Sequence, residues 1–205
     1  MTKDHRGEDA YDPRLIEGSA GKRVIVSGCS GGGKSALMAE LERRGFAVHH
    51  EAGRQVVKEQ LHIGGDALPW ADAAKFIELT VSRTMHAMIR AGVSGELAFF
   101  DRGIIDQISG ADVMGLPVAP HLREAARLFR RHGTVFLVPP WREIYRRDAE
   151  RRHGFEEAAA AYGPLRAAYE AHGYDIVELP KTSVAARADL VIAGVGADRR
   201  GQRAV

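Results

Sequence analysis

The sequence predicts an α/β fold in which helices cover both faces of a parallel sheet. Short apolar runs, typical of buried strands, alternate along the chain with longer stretches of helical periodicity. A glycine-rich loop at residues 28–35 also stands between the first apolar run and the first helical stretch. Parallel sheets of this kind gather their ligands at the carboxyl ends of the strands, so we expect the site to lie there.

Each element is predicted from its periodicity and its end signals. Predicted strands occupy residues 22–27, 46–50, 97–100, 134–138 and 175–179. Predicted helices occupy residues 34–44, 53–61, 70–91, 104–114, 120–131 and 183–195, and residues 190–192 could instead form a last short strand. Gly45 ends the first helix, and Pro69 suits the first turn of the long third helix.

The composition indicates one ordinary globular domain. The chain has 205 residues, a net charge of +2 and 45% hydrophobic residues. We expect loose tails at residues 1–20 and 198–205 around a single domain at 21–197. The small net charge argues against nucleic-acid binding, and no stretch is apolar enough for membrane insertion. Cys29 is the only cysteine, which favours a cytoplasmic protein. The oligomeric state stays open.

Residues 28–35 form a complete phosphate-binding loop of the pattern G-x-x-x-x-G-K-S. Its glycines let backbone N–H groups converge on phosphate oxygens. Lys34 can reach the β- and γ-phosphates, and the Ser35 hydroxyl can coordinate Mg²⁺. The predicted cofactors are therefore ATP and Mg²⁺. The residues expected to bind the nucleotide are Gly28, Cys29, Ser30, Gly31, Gly32, Gly33, Lys34, Ser35 and Ala36.

A second motif, at residues 99–103, has the form of a Walker B segment, in which a buried strand ends in an acid. Asp101 can complete the metal shell with Ser35, or it can simply cap the next helix. Arg102 stands where motor-type ATPases carry a catalytic glutamate, so we do not expect vigorous hydrolysis. No guanine-reading Asn-Lys-x-Asp segment is present, so ATP is expected rather than GTP.

The Asp101–Arg102 pair resembles the Asp/Glu-Arg-Ser segment of deoxynucleoside kinases, with Gly103 in place of the serine. The resemblance implies that Arg102 lies near the transferred phosphoryl group. It also implies that Glu51, directly after the second predicted strand, accepts the proton of the attacking hydroxyl. A solvated acid at a helix start is the alternative for Glu51. Arg54 can pair with Glu51 or grip an acceptor phosphate.

An arginine-rich segment follows the fourth predicted strand. At helical spacing Arg142 shares a face with Arg146, and Arg147 shares a face with Arg151. Lids of this kind close over phosphates in many small kinases, so we expect a lid at about 140–155 in which Arg147 and Arg151 contact phosphate. A solvated helix with internal ion pairs is the alternative.

Three further residues complete the expectations. Lys181, after the fifth predicted strand, is expected at the rim of the base pocket. Asp106 and Arg83 could touch an acceptor but are expected to be surface residues. The histidines lack the spacing of a zinc site.

The segments at 27–35, 51–54, 65–70, 100–103 and 139–155 together resemble a bacterial family of predicted ATPases with an AAA-type domain. They are also similar to the kinase domain of the bifunctional ribosylnicotinamide kinase. The resemblance covers residues 22–192. It implies a P-loop NTPase fold, a three-layer sandwich with a five-stranded parallel sheet in the kinase-like order 2-3-1-4-5, and ATP binding.

Three hypotheses follow. The leading one is an ATP-dependent kinase for a small acceptor, such as a nucleoside or nucleotide. The second is a nucleotide-dependent switch or slow ATPase that acts through a protein or lipid partner. The third is a binding module without turnover.

Overall fold

The computed structural model describes residues 12–14, 21–130, 132–146 and 154–201, with side chains in the last helix as far as Gly196. Most of the predicted N-terminal tail and residues 202–205 lie outside these ranges. Part of the predicted lid, including Arg147 and Arg151, lies outside them as well.

A five-stranded parallel sheet forms the centre of the fold. Its strands are β1 (Arg23–Gly28), β2 (Ala47–His49), β3 (Ala98–Asp101), β4 (Thr134–Val138) and β5 (Asp175–Glu178). The order β2-β3-β1-β4-β5 confirms the predicted kinase-like order. β1 pairs with β3 on one side and β4 on the other, so the loop after β1 lies between the ends of both neighbours.

Eight helices accompany the sheet in the described ranges. They are α1 (Lys34–Arg43), α2 (Ala52–Ile63), α3 (Ala73–Ser94), α4 (Ile104–Val113), α5 (Pro120–Leu128), α6 (Phe155–Ala160), α7 (Tyr162–Ala171) and α8 (Val184–Gly201). The predicted helices are present, with ends that differ by a few residues. α6 and α7 were not predicted from the sequence.

Two hydrophobic cores confirm the three-layer sandwich. One core joins a face of the sheet to α3, α4, α5 and α7, and includes Ile25, Ile108 and Tyr169. The other joins the opposite face to α1 and α8, and includes Val26 and Leu37. Successive β1 side chains therefore enter different cores, as the two-residue period of a strand requires. This packing fixes the carboxyl end of β1 and the loop that follows it.

Two predicted features are wrong. Pro69 does not start α3, because that helix begins at Ala73, where the Asp72 side chain accepts a hydrogen bond from the Lys75 amide at 3.0 Å. Residues 190–192 form no strand, because they belong to α8. Burial of Val191 in the α1–α8 core favours the helix. α8 also continues to Gly201, into the segment predicted as a tail from 198.

Candidate active site

The loop at 28–35, called the cradle below, needs glycine where the backbone turns. Gly28 has φ of 118°, and a Cβ there would lie 2.2 Å from the Val138 carbonyl oxygen. Gly33 has φ of 85° and precedes the first turn of α1. In the part of the chain described, the N–H groups of Ser30, Gly31 and Gly33 donate to no backbone carbonyl. They are therefore available to an anion, together with the free amides of the first turn of α1.

Lys34 and Asp101 form a buried pair behind the cradle. The Lys34 Nζ lies 3.8 Å from the Asp101 Oδ1, and that oxygen accepts no hydrogen bond from any described residue. Burial raises the pKa of Asp101 against the opposing effect of Lys34. Burial and then Arg102 lower the pKa of Lys34. An unbonded carboxylate oxygen at this place is an available ligand.

These residues fit a magnesium ion. Mg²⁺ prefers oxygen ligands and uses one or two carboxylates beside the phosphates of its nucleotide. Asp101 offers the unbonded oxygen, and Ser35 is exposed at the start of α1. Ser35 lines the cleft at the cradle, of about 170 Å³, whereas Asp101 lines a separate cavity of about 220 Å³. No group of three or more His, Cys, Asp or Glu side chains within the described ranges could hold a metal alone.

Arg102 has the most restrained backbone of the site. Its φ of 73° is the only positive value at a described residue other than glycine. Such conformations cost about 1–3 kcal/mol and persist only where the surroundings enforce them. Here the Arg102 amide donates to the Val26 carbonyl at 3.0 Å, which ties it to β1.

The Arg102 guanidinium bridges two carboxylates. Its Nε donates to the Glu51 Oε1 at 3.0 Å, and its Nη1 donates to the Asp106 Oδ1 at 2.9 Å. Burial acts to lower the pKa of Arg102, but Glu51, Asp106 and Asp101 outweigh burial and raise the pKa. The guanidinium is therefore permanently charged and held in one place.

The prediction that Asp106 is a surface residue is wrong. It is buried rather than at the surface. Its Oδ2 accepts from the Tyr169 hydroxyl at 2.5 Å and from the Gly103 amide at 2.8 Å, and its Oδ1 also accepts from the Ser27 hydroxyl. All its acceptor capacity is used, so Asp106 positions its neighbours and has no room to act as a base. The sequence did contain one sign of this role, because Asp106 stands three residues after Gly103, the residue that caps α4, which is the spacing of a helix-capping acid.

Glu51 stands directly before α2 and is half-buried. Besides Arg102, it pairs with Arg54, whose Nε lies 3.4 Å from the Glu51 Oε2. Burial acts to raise the pKa of Glu51, but Arg102, Lys34 and Arg54 together lower it below the ordinary value. Glu51 is therefore ionised at neutral pH. Glu51 and Arg54 both line the cleft at the cradle.

A cavity of about 440 Å³ opens on the other side of the cradle. We call it the acceptor cavity, after the role proposed for it below. Arg102, Asp106 and Ser109 supply polar groups to it, and Ser30 lines both this cavity and the cleft at the cradle. Its apolar walls come mainly from α4, α6 and α7, with Pro69, Val113, Met114, Ala158, Ala161 and Leu165. A mostly apolar cavity with a few convergent polar groups is typical of a small-molecule site.

Residues 141–146, called the cover segment below, lie against the cradle. A Cβ on Gly31 would come 2.4 Å from the Tyr145 ring, and one on Gly33 would come 3.0 Å from the Ile144 Cδ1. Residues Arg142–Ile144 form a 3-10 turn, so the prediction that Arg142 and Arg146 share a helix face is wrong. Arg142 pairs with Glu156, whereas Arg146 lines the cleft.

The remaining predicted residues stay predictions. The roles of Arg147 and Arg151 fall outside the described residues. Lys181 is exposed between β5 and α8 and lines neither the cleft at the cradle nor the acceptor cavity. Arg83, expected at the surface, is half-buried; it pairs with Glu59 and lines the cavity that Asp101 and Arg102 also line.

A family model described as "AAA domain" matches residues 23–187. The chain belongs to the AAA domain family. No curated protein matches this AAA domain. Within the described ranges, no helix has both the length and the apolar character needed to cross a bilayer.

Two solved structures share the fold. The NadR protein in complex with NR has a TM-score of 0.58 and 20% identity, and the match covers 77% of this chain and 43% of the NadR chain. Thymidylate kinase from Ehrlichia chaffeensis has a TM-score of 0.54 and 13% identity, and the match covers 86% of this chain and 99% of the kinase. The chain thus spans less than half of the NadR protein. These similarities show a P-loop kinase-like fold for this AAA domain.

Proposed function

We propose that this AAA domain is an ATP-dependent phosphotransferase that moves the γ-phosphoryl group of ATP to a small molecule. One observation carries the proposal: the cradle separates a cleft from an apolar cavity, and Ser30 lines both. Arg102 lines the cavity at the same junction. A phosphoryl donor and its acceptor could therefore meet at the cradle with their reacting atoms aligned, and such positioning supplies most of the catalysis in phosphoryl transfer.

The chain's own residues would divide the work of binding. The cradle amides and Lys34 would hold the phosphates, and Ser35 and Asp101 would hold Mg²⁺. The metal, when bound, neutralises the charge that develops on the transferred group. Arg102, fixed by its two carboxylates, would place a positive charge at the edge of the acceptor cavity. Because it is already restrained, it need not reorganise when charge develops.

Glu51 would accept the proton of the attacking hydroxyl. It is ionised at neutral pH, lines the cleft beside Arg54, and accepts a hydrogen bond from Arg102, which lines the acceptor cavity. Its lowered pKa makes it a weak base, which suits a reaction in which proton transfer follows most of the bond breaking. No acid stands next to Asp101 in the sequence, because that position is Arg102. Transfer to a bound acceptor is therefore favoured over rapid hydrolysis by water.

The acceptor would be a nucleoside- or nucleotide-like molecule. The acceptor cavity has the volume of a small-ligand site and mostly apolar walls, which suit the flat face of a base. The names of the two structural neighbours point the same way, since one complex contains NR and the other protein is a thymidylate kinase.

A nucleotide-dependent switch is the second candidate, and the cover segment favours it. Tyr145 and Ile144 lie directly on Gly31 and Gly33. Phosphates that enter the cradle would press on this segment and could move it. In that case the readout would be a partner that recognises the displaced segment rather than a phosphorylated product.

The Glu51→Gln variant separates the two candidates. A phosphotransferase should lose about 10²- to 10⁴-fold in turnover while its Kd for MgATP stays within about twofold, because the cradle is unchanged. Turnover would be measured as ATP consumption with a panel of nucleosides and nucleotides, and Kd by calorimetry. Glu59→Gln on the exposed side of α2 is the matched control and should change neither value. Unchanged turnover in Glu51→Gln would favour the switch.

The acceptor can be found by thermal shift. Each candidate would be added to the protein with Mg²⁺ and a non-hydrolysable ATP analogue. An acceptor at about 100 times its Kd adds about 2.7 kcal/mol of stability, which raises the melting temperature by several degrees. If no nucleoside, nucleotide or sugar adds to the shift given by the analogue, the small-acceptor proposal is contradicted.

A further inference from the structure

A second buried arginine lies next to the cradle, and the proposed mechanism does not use it. Arg187, in α8, is 2% exposed. Its Nη1 donates to the Gly32 carbonyl at 3.2 Å. Its guanidinium carbon lies 5.4 Å from the centre of the Trp141 ring, which is close enough for a cation–π interaction.

No described carboxylate pairs with Arg187. Its Nε is buried and makes no hydrogen bond within the described structure, and burial lowers its pKa. Burying a charge without a counter-charge is expensive. A purely structural side chain could fill this space without such a penalty, so the guanidinium has another use.

The hydrogen bonds of the cradle show what that use is. The Cys29 carbonyl accepts from the Gly32 amide, and the Gly33 carbonyl accepts from the Leu37 amide as the first bond of α1. The Gly32 carbonyl receives its hydrogen bond from Arg187. Each of these three carbonyls therefore faces a donor within the protein rather than the phosphate side.

The Gly32 carbonyl shares its peptide group with the Gly33 N–H. The peptide is trans, so the two groups point in opposite directions. When Arg187 holds the carbonyl on the α8 side, the Gly33 N–H must point away from α8. A hydrogen bond at the carbonyl also polarises the peptide and strengthens its N–H as a donor.

We infer that Arg187 is a positioning residue, which turns the Gly32–Gly33 peptide so that the Gly33 N–H faces the phosphates of the bound nucleotide. The inference rests on the proposed function only in requiring that the cradle bind phosphate. The Trp141 ring, 5.4 Å from the guanidinium carbon, helps to hold the guanidinium in place. The nucleotide's negative charge then partly compensates the buried cation, which links Arg187 to affinity rather than to folding.

The test compares Arg187→Met and Arg187→Gln with the wild-type chain. Both side chains leave the Gly32 carbonyl without its guanidinium, so the Kd for MgATP should rise by about tenfold, as loss of one well-placed hydrogen bond gives. The Kd for inorganic tripolyphosphate should rise by the same factor, because Arg187 acts on the cradle that binds the phosphates. The melting temperature without ligand should stay the same or rise, because an uncompensated charge has gone.

Arg44→Met is the matched control. Arg44 also links α1 to α8, through Asp189 at 2.6 Å and the Ala185 carbonyl at 3.1 Å, but it lies away from the cradle. Its removal should leave both Kd values within about twofold. If it weakens them as much as Arg187→Met does, general loosening of α8 explains the effect and the inference is overturned.

Other results would also overturn it. A folded Arg187 variant whose Kd for tripolyphosphate stays within about twofold of wild type would do so. The inference would also be overturned if the variants bound MgATP more weakly but tripolyphosphate as tightly as wild type, because Arg187 would then act on the adenosine part of ATP rather than on the phosphates. Failure of the wild-type chain to bind either probe would instead refute the proposed function. The Gly33 amide signal in NMR then still tests the peptide's orientation, because it should shift in both Arg187 variants and stay in place in Arg44→Met.

Discussion

Two arginines approach the cradle from opposite sides of β1, and their surroundings differ. Arg102, after β3, lies between Glu51 and Asp106. Arg187, in α8, meets the Gly32 carbonyl and the ring of Trp141, which follows β4. The pKa of Arg102 is raised because its carboxylates outweigh burial, whereas burial alone lowers the pKa of Arg187.

The difference separates two uses of a buried cation. A cation with two counter-charges is held in a fixed position, and its removal leaves carboxylates unpaired. A buried cation without a counter-charge destabilises the ligand-free protein, and its charge is best compensated when an anion binds nearby. We therefore expect the first arginine to be needed for stability and the second for affinity.

The largest expected effect tests the stabilising role of Arg102. Arg102→Met should lower the free energy of unfolding by about 3 kcal/mol or more, because it leaves the buried Asp106 without a cation. Urea unfolding would measure the change. Arg83→Met is the control: its pair with Glu59 is 33% and 56% exposed, so the loss should stay under about 1 kcal/mol.

This prediction also compares the two arginines directly. Arg187→Met should not destabilise the ligand-free chain, as argued above. If Arg102→Met and Arg187→Met lower the free energy of unfolding equally, the two cations do not differ in the way proposed.

A smaller effect concerns how the free energy of unfolding depends on pH through Asp101, which lies beside Lys34. Its folded-state pKa is raised above the ordinary 3.8 by burial, so the native chain keeps a proton that the unfolded chain has lost. Stability from this group is therefore present at low pH and is lost as pH rises through the raised pKa. Relative to Asp101→Asn, the wild-type free energy of unfolding should fall with rising pH across that window and then level off.

Unfolding at a series of pH values gives this difference. Asp112→Asn, at an exposed position of α4, shows whether removing any carboxylate gives the same trend. A difference between wild type and Asp101→Asn that is flat, or that grows with pH, would show that Lys34 rather than burial dominates the titration of Asp101.

The fold and part of the site could be predicted from the sequence, but the surroundings of the two arginines could not. The cradle could be predicted because its chemistry lies within eight consecutive residues, 28–35. The strand order followed from the resemblance that those motifs carried. Glu51 and Arg102 were named as site residues, but their contact is a tertiary one across β2 and β3 that no local pattern contains.

Asp106 and Arg187 show why the rest could not be predicted. Asp106 has the spacing of a helix-capping acid, and only packing against Ser27 and Tyr169 makes it the centre of a network. Arg187 lies on the same side of α8 as Val191, four residues on, which is also buried. A single polar residue on an apolar helix face is a weak signal, and nothing local identifies the Gly32 carbonyl as its partner.

The smallest expected effect isolates the backbone strain at Arg102. Arg102→Gly and Arg102→Ala remove the same guanidinium, so any difference between them reports on the φ of 73°. A left-handed conformation costs about 1–2 kcal/mol for a residue with a Cβ and little for glycine. After allowing for the larger entropy of glycine in the unfolded chain, the glycine variant should be more stable by about 1 kcal/mol.

The same two substitutions at Arg83, inside α3, should give the opposite order, because glycine is about 1 kcal/mol worse than alanine in a helix. If alanine is the better residue at both positions, the Arg102 backbone is relaxed. The two carboxylates would then bind a side chain that the β3–α4 turn already presents, instead of holding it there against strain.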